Sequence, residues 1–174
     1  FSLATGTLYE RLLKIMKQAL YPRHATCYLR PRSATALVKA EHNVHRLGYR
    51  LVLFDCYRPL SVQQKMFEIV NNPKYVAKPT KKGGKHYRGA AVDVGLADAT
   101  GRVLPMPTEF DDFTSRAGSA ADKGIEWFRI SNRTSLQEAM EAAGFARIKS
   151  EWWHFVGPDA RTAAALDEPF PKSR

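Results

Sequence analysis

Two short stretches carry residues that could do chemistry together. Lys85-His86-Tyr87-Arg88-Gly89-Ala90-Ala91-Val92-Asp93 sets an imidazole and a carboxylate on either side of a turn of small residues, and Glu151-Trp152-Trp153-His154 adds a second imidazole and a second carboxylate. His86, Asp93 and His154 form a three-ligand set suited to one catalytic Zn²⁺ ion, whose fourth position stays open. Glu151 is then left over as a general base.

The chemistry such a set performs is amide hydrolysis. The ion makes water a nucleophile near neutral pH, Glu151 takes the water's proton and returns it to the leaving amine, and a fixed cation holds the oxyanion. Arg58 is the candidate for that cation, because Tyr57-Arg58-Pro59 forms an elbow between a strand and a helix and Pro59 keeps Arg58 out of helical geometry. A salt bridge to Asp55 is the competing use of the same side chain.

The elements that must position these groups follow from periodicity and punctuation. Leu8, Leu12, Ile15, Met16 and Ala19 have the spacing of an amphipathic helix that Pro22 stops. Ser33 is the expected N-cap of a second helix to Leu47, with Ala36, Leu37, Ala40, Val44 and Leu47 as its core face and Gly48 as its stop. His42 and His45 on that helix, and His24 before it, read as surface residues. Arg50 to Asp55 is a strand. Ser61 and Gln64 form a capping box for a helix over 62–70.

The polar stretch from Asn71 to Lys85 has the length of a loop that covers a substrate. Residues 92–96 make a buried strand in which Ala91, Asp93 and Gly95 share one face. Residues 105–122 are irregular. Ser131 or Asn132 caps a helix to about Ala143 that Gly144 ends, residues 146–156 form the last strand, and the tail from Pro158 is loose. In a regular strand Glu151 and His154 would face opposite sides, so the site requires a bend or bulge at Glu151.

The whole chain, 1–174, reads as one α+β domain with a small antiparallel sheet and flanking helices. Its 44% hydrophobic and 25% charged composition suits a globular core and disfavours disorder. The net charge of +10 points to an anionic partner. The basic residues are scattered, however, except for Lys78, Lys81, Lys82, Lys85 and Arg88 beside the metal stretch, and no nucleic-acid motif accompanies them. No run approaches the roughly 18–20 apolar residues of a membrane span. Cys27 and Cys56 permit a disulfide without implying it. The basic charge and a start at Phe1 tilt the expectation towards a bacterial protein of the periplasm or cell envelope over the cytoplasm.

Taken together, Cys27-Tyr28-Leu29-Arg30, Phe54-Asp55-Cys56-Tyr57-Arg58-Pro59-Leu60-Ser61, His86 to Asp93, Phe110-Asp111-Asp112-Phe113 and Glu151-Trp152-Trp153-His154 resemble the zinc D-alanyl-D-alanine dipeptidases of the VanX type. These belong to the M15 class of D-Ala-D-Ala peptidases and carboxypeptidases, and the likeness runs from about Tyr21 to Phe155. It implies an M15/hedgehog-like zinc peptidase core with one zinc per chain, held by His86, Asp93 and His154. It also implies Glu151 as base, Arg58 as transition-state stabiliser and Asp111 as the acid that holds a substrate's free ammonium. Two departures stand out. Gly84 occupies the place of a usual serine, for which Lys85 is the candidate substitute at the substrate's carboxylate, and the family's amino-terminal motif is not recognisable.

The expected activity is therefore hydrolysis of D-Ala-D-Ala or a close D,D-dipeptide in cell-wall metabolism or glycopeptide resistance. A D,D- or L,D-carboxypeptidase acting on peptidoglycan stems is the enzymatic alternative. A non-catalytic wall-binding module with a structural metal is the other, although binding needs neither a base nor an oxyanion donor. An iron oxygenase shares the ligand types but would use a His-x-Asp spacing that is absent.

Overall fold

The computed structural model describes residue 21 and residues 26–71, 76–80, 84–112 and 114–171. The expected helix over 8–20, together with His24, Lys81, Lys82 and Phe113, lies outside the described residues. The described elements run α1 (Pro31–His45), β1 (Tyr49–Asp55), α2 (Leu60–Val70), β2 (Ala91–Asp98), α3 (Trp127–Ala142), β3 (Ala146–Arg147) and β4 (His154–Val156), with 3₁₀ turns at His86–Arg88 and Ser115–Ala117. The strands form an antiparallel sheet in the order β1-β2-β4-β3, the α+β architecture expected.

β2 is the axis of the sheet and is buried from Ala91 to Ala97. Gly95 is required there, since a Cβ would come within 2.9 Å of the Phe54 ring. That ring stacks on Phe110 with centroids 4.7 Å apart and meets Trp152 edge-on. Ala36, Leu37, Ala40 and Val44 of α1 and Leu136, Ala139 and Met140 of α3 join the same core.

Several boundaries differ from expectation. α1 begins at Pro31, and Ser33 does not cap it: the backbone N–H and the hydroxyl of Ser33 both donate to Asp159 Oδ2, at 2.8 and 2.9 Å. Leu47 lies beyond the helix end and is 55% exposed, so it leaves the core face. The capping box of α2 does not form. The Ser61 N–H donates instead to Asp167 Oδ1, and Gln64 bonds Glu68. α3 starts at Trp127 with Glu126 in the N-cap position, and Asn132 lies inside it, donating its amide to the Pro105 carbonyl and capping nothing.

Residues 146–156 are not one strand but the two short antiparallel strands β3 and β4 joined by a bend. Trp152 and Trp153 are adjacent and both buried, which a period-two strand with one wet face does not allow. The expected loose tail is, over residues 158–171, tied down by contacts. Leu166 exchanges backbone bonds with Tyr87 and Leu60, Arg88 donates to the Ala163 carbonyl, Tyr57 donates to the Glu168 carbonyl, and Phe170 packs on Tyr21, Tyr28 and Tyr57. Cys27 and Cys56 form a disulfide.

Candidate metal centre and active site

A bulge at the end of β1 sets the first wall of the site. Pairing runs from Tyr49↔Asp98 to Leu53↔Val94, then slips so that Asp55 faces Asp93. Asp93 in turn pairs across β2–β4 with His154. The third donor comes from the 3₁₀ turn, which ends at Gly89 in a left-handed conformation (φ +62°).

His86 is buried, and its Nδ1 donates to the Cys56 carbonyl at 2.7 Å. That bond fixes the tautomer and leaves the Nε2 lone pair turned to the other two donors. His86 Nε2 lies 3.2 Å from His154 Nδ1 and 3.4 Å from Asp93 Oδ2, while His154 Nδ1 lies 2.9 Å from Asp93 Oδ1. One atom from each of the three residues falls within 4.8 Å of the others. Metal bonds of about 2.0–2.2 Å at near-tetrahedral angles place neighbouring donors about 3.4 Å apart, so the cluster has the dimensions and the donor chemistry to hold a metal ion.

The electrostatics match that use. Burial pushes Asp93 up, but His86 and the bond to His154 outweigh it and hold the carboxyl far below its usual range. Burial disfavours the imidazolium of His86, yet Asp93 and then Asp55 outweigh it and raise its pKa. Glu151 stands at the bend before β4, where the site required it, with Oε2 4.0 Å from His154 Nδ1. Burial, reinforced by the charge of Asp93, raises its pKa, as a proton-accepting carboxylate near neutral pH needs.

Arg58 makes the salt bridge to Asp55 that competed with a site role, and the two are compatible. Its Nε donates to Asp55 Oδ2 at 3.0 Å and to the Tyr21 hydroxyl at 3.2 Å, Nη2 donates to Asp55, and Nη1 donates to Gln63 Oε1 at 2.6 Å. A guanidinium has five N–H donors, so among the described residues one remains on each terminal nitrogen. Burial works against the cation, but Asp55 more than restores it, and the group stays charged.

The remaining predicted residues lie at the margin. Asp111 is half-buried with a left-handed φ of +59°, and it follows Phe110, whose ring packs on Trp153 just before His154. It is not one of the three clustered donors. Lys85 is half-buried immediately before His86, and its carbonyl accepts the N–H groups of Arg88 and Ala90, both at 3.1 Å. Gly84 has φ +50°, and a Cβ there would overlap the Tyr87 ring, so a serine does not fit beside this tyrosine. His42 and His45 are exposed on α1, as expected. Asp55, Tyr21 and Gln63 were not singled out as site residues. Only Asp55 left a trace, in its spacing of three from Arg58.

The donor cluster offers a place for a metal ion, and the comparisons supply the class. Residues 7–173 match the family model Peptidase_M15, described as D-ala-D-ala dipeptidase, and the chain belongs to that family. It is 35% identical over 156 residues to a D-alanyl-D-alanine dipeptidase of Escherichia coli (strain K12), covering 90% of this chain and 79% of the relative. Enzymes of the same name from Enterococcus faecium and Enterococcus faecalis (strain ATCC 700802 / V583) are each 30% identical, covering 80% and 79% of this chain and 74% and 73% of theirs. Among the described residues no helix is long and apolar enough to cross a membrane.

Proposed function

We propose that the protein is a zinc-dependent dipeptidase that hydrolyses free D-Ala-D-Ala, or a close D,D-dipeptide, to its amino acids. The observation that carries the reading is the convergence of His86, Asp93 and His154 with a proton-accepting Glu151 4.0 Å away. Two imidazoles and a carboxylate suit zinc and leave a coordination position open. The ion supplies Lewis acidity at the scissile carbonyl and favours water as a nucleophile near neutral pH.

The protein's own groups do the rest. Glu151 accepts the proton of the attacking water and delivers it to the departing amine. The two unspent N–H groups of Arg58 meet the oxyanion, and Asp55 keeps the guanidinium charged and fixed. Asp111 is assigned to the substrate's free ammonium, which favours an unblocked dipeptide, because a carboxylate attracts a cation more strongly than the neutral amide of an acylated amine. Lys85 supplies charge for the substrate's carboxylate where Gly84 offers no hydroxyl. The Cys27–Cys56 disulfide supports an oxidising compartment such as the periplasm or cell envelope.

Release of alanine from D-Ala-D-Ala, L-Ala-L-Ala and N-acetyl-D-Ala-D-Ala, with and without a chelator, tests the reading. Chelator-sensitive release from D-Ala-D-Ala alone is expected. Release from the acetylated peptide would reassign the protein as a carboxypeptidase, and no release from a zinc-loaded sample would favour a wall-binding module.

A further inference from the structure

Gln63 is an uncharged side chain in the first turns of α2, yet it is 5% exposed and bonded at both ends of its amide. Its Oε1 accepts from Arg58 Nη1 at 2.6 Å, and its Nε2 donates to the Ala77 carbonyl at 2.8 Å. The orientation admits no flip, since a guanidinium only donates and a carbonyl only accepts. One amide therefore links the oxyanion cation to the segment 76–80. A second bond fixes the far end of that segment, where the Tyr87 hydroxyl donates to the Thr80 carbonyl at 2.6 Å. Tyr87 is itself fully buried and adjacent to His86. Behind Gln63, Val76, Met66 and Tyr21 form a small apolar cluster of their own, and Tyr21 closes the ring through its bonds to Asp55 and Arg58.

We infer that Gln63 is a positioning residue for catalysis: it sets the angle of Arg58 and ties the wall formed by 76–80 to it, so that the cation and the wall move as one body. Without the amide, Nη1 of Arg58 would be held by nothing else in this network, and the guanidinium would keep only its Asp55 edge. Within the 71–85 stretch, residues 76–80 are held at Ala77 and at Thr80.

This inference rests on the dipeptidase reading, and its test separates the two. The zinc-loaded full chain is compared with Gln63→Leu, which fills a similar volume with neither bond, and with Gln63→Glu, which keeps the acceptor for Arg58 and loses the donor to Ala77. Turnover of D-Ala-D-Ala, bound zinc, Tm and backbone amide exchange over 76–80 are measured for each. Gln63→Leu should lower kcat about 10- to 10²-fold with zinc content unchanged, the range set by a misplaced catalytic group. Gln63→Glu should restore kcat to within about threefold of wild type while raising KM about fivefold or more, because it releases 76–80, part of the stretch whose length suits a substrate-covering loop. Both should speed exchange over 76–80. Equal kcat losses in the two variants, or a Leu variant that loses only Tm, would overturn the role of Gln63. Unchanged exchange over 76–80 would overturn the tether even if the wild type proved inert towards the dipeptide, an outcome that would reject the dipeptidase reading alone.

Discussion

Asp55 and Asp93 stand directly opposite each other across the β1–β2 ladder, just past a bulge, and both are buried. Two like charges so placed are held apart by what each one serves. Asp55 takes Arg58, Asp93 takes the imidazole pair, and His86 spans the two with Nδ1 3.8 Å from Asp55 and Nε2 3.4 Å from Asp93. The bulge thus gives the site two compartments, one for an anion-stabilising cation and one for a metal. Asp55→Asn should separate them. Zinc content should persist, because the tautomer of His86 is set by the Cys56 carbonyl. kcat should fall about 10²-fold as Arg58 loses its anchor, with a stability loss of about 3 kcal/mol for the unpaired buried cation. Metal analysis, steady-state kinetics and urea unfolding check the three parts; a zinc-free variant would show that the compartments are one.

Glu151→Gln preserves shape and removes the proton acceptor. Zinc occupancy should be unchanged and kcat should fall about 10²- to 10⁴-fold, the range for loss of a general base. Elemental analysis beside kinetics distinguishes this from metal loss, and full turnover in the zinc-loaded variant would remove Glu151 from the mechanism.

The titration of the metal-free protein should run opposite to that of most proteins. His86 has its pKa raised above its ordinary value of 6.5 in the folded chain. Its contribution to stability is therefore fully present below about 6.5 and lost as pH rises through the higher folded value. Asp93 is depressed from 3.8, so its contribution is present above that value and lost only in strong acid. Glu151, held above its ordinary value of 4.5 by burial, acts in the same direction as His86, so chelated protein should be more stable at pH 5.5 than at pH 8. Zinc-loaded protein should not lose it, since metal competes with protons for the same imidazoles and binds better as pH rises. Melting curves at pH 5.5 and 8 with and without chelator check the sign, and a chelated Tm that climbs over this range would refute it.

The grouping of His86, Asp93 and His154 was legible in the sequence because the capacity to ligate a metal is a property of side-chain type. Placing Glu151 near them needed only the inference of a bend at the strand entrance, and Trp152 and Trp153 form one directly after Glu151. What was not legible depends on partners distant in sequence. Ser33 looks like an N-cap until Asp159, 126 residues away, supplies the carboxylate. Asn132 looks like another until the Pro105 carbonyl claims it. The aromatic run at Trp152-Trp153 has the composition of a strand, but both residues lie in the bend before β4 and both are buried. Gln63 carries no signal of its own, since its meaning lies in Arg58 and Ala77 together.

The carboxyl-terminal segment should prove structural rather than dispensable. Asp159 accepts both donors of Ser33 at the start of α1, and Asp167 accepts the Ser61 N–H at the start of α2. Each carboxylate thereby meets orphan N–H groups and the positive end of a helix. Asp159→Ala should cost about 1–2 kcal/mol, the usual loss of a cap, with Asp159→Asn restoring much of it because an amide oxygen still accepts. Asp167→Ala should cost less, since the Ser61–Asp167 contact is exposed. Deleting residues 158–174 removes both caps together with the packing of Phe170 on Tyr21, Tyr28 and Tyr57, so its cost should exceed the sum of the two single substitutions. It should also lower kcat, because Tyr21 reaches Arg58 through its hydroxyl. Urea unfolding and D-Ala-D-Ala turnover of the four variants check this, and a truncated chain with wild-type stability would mean that these contacts contribute nothing to the fold.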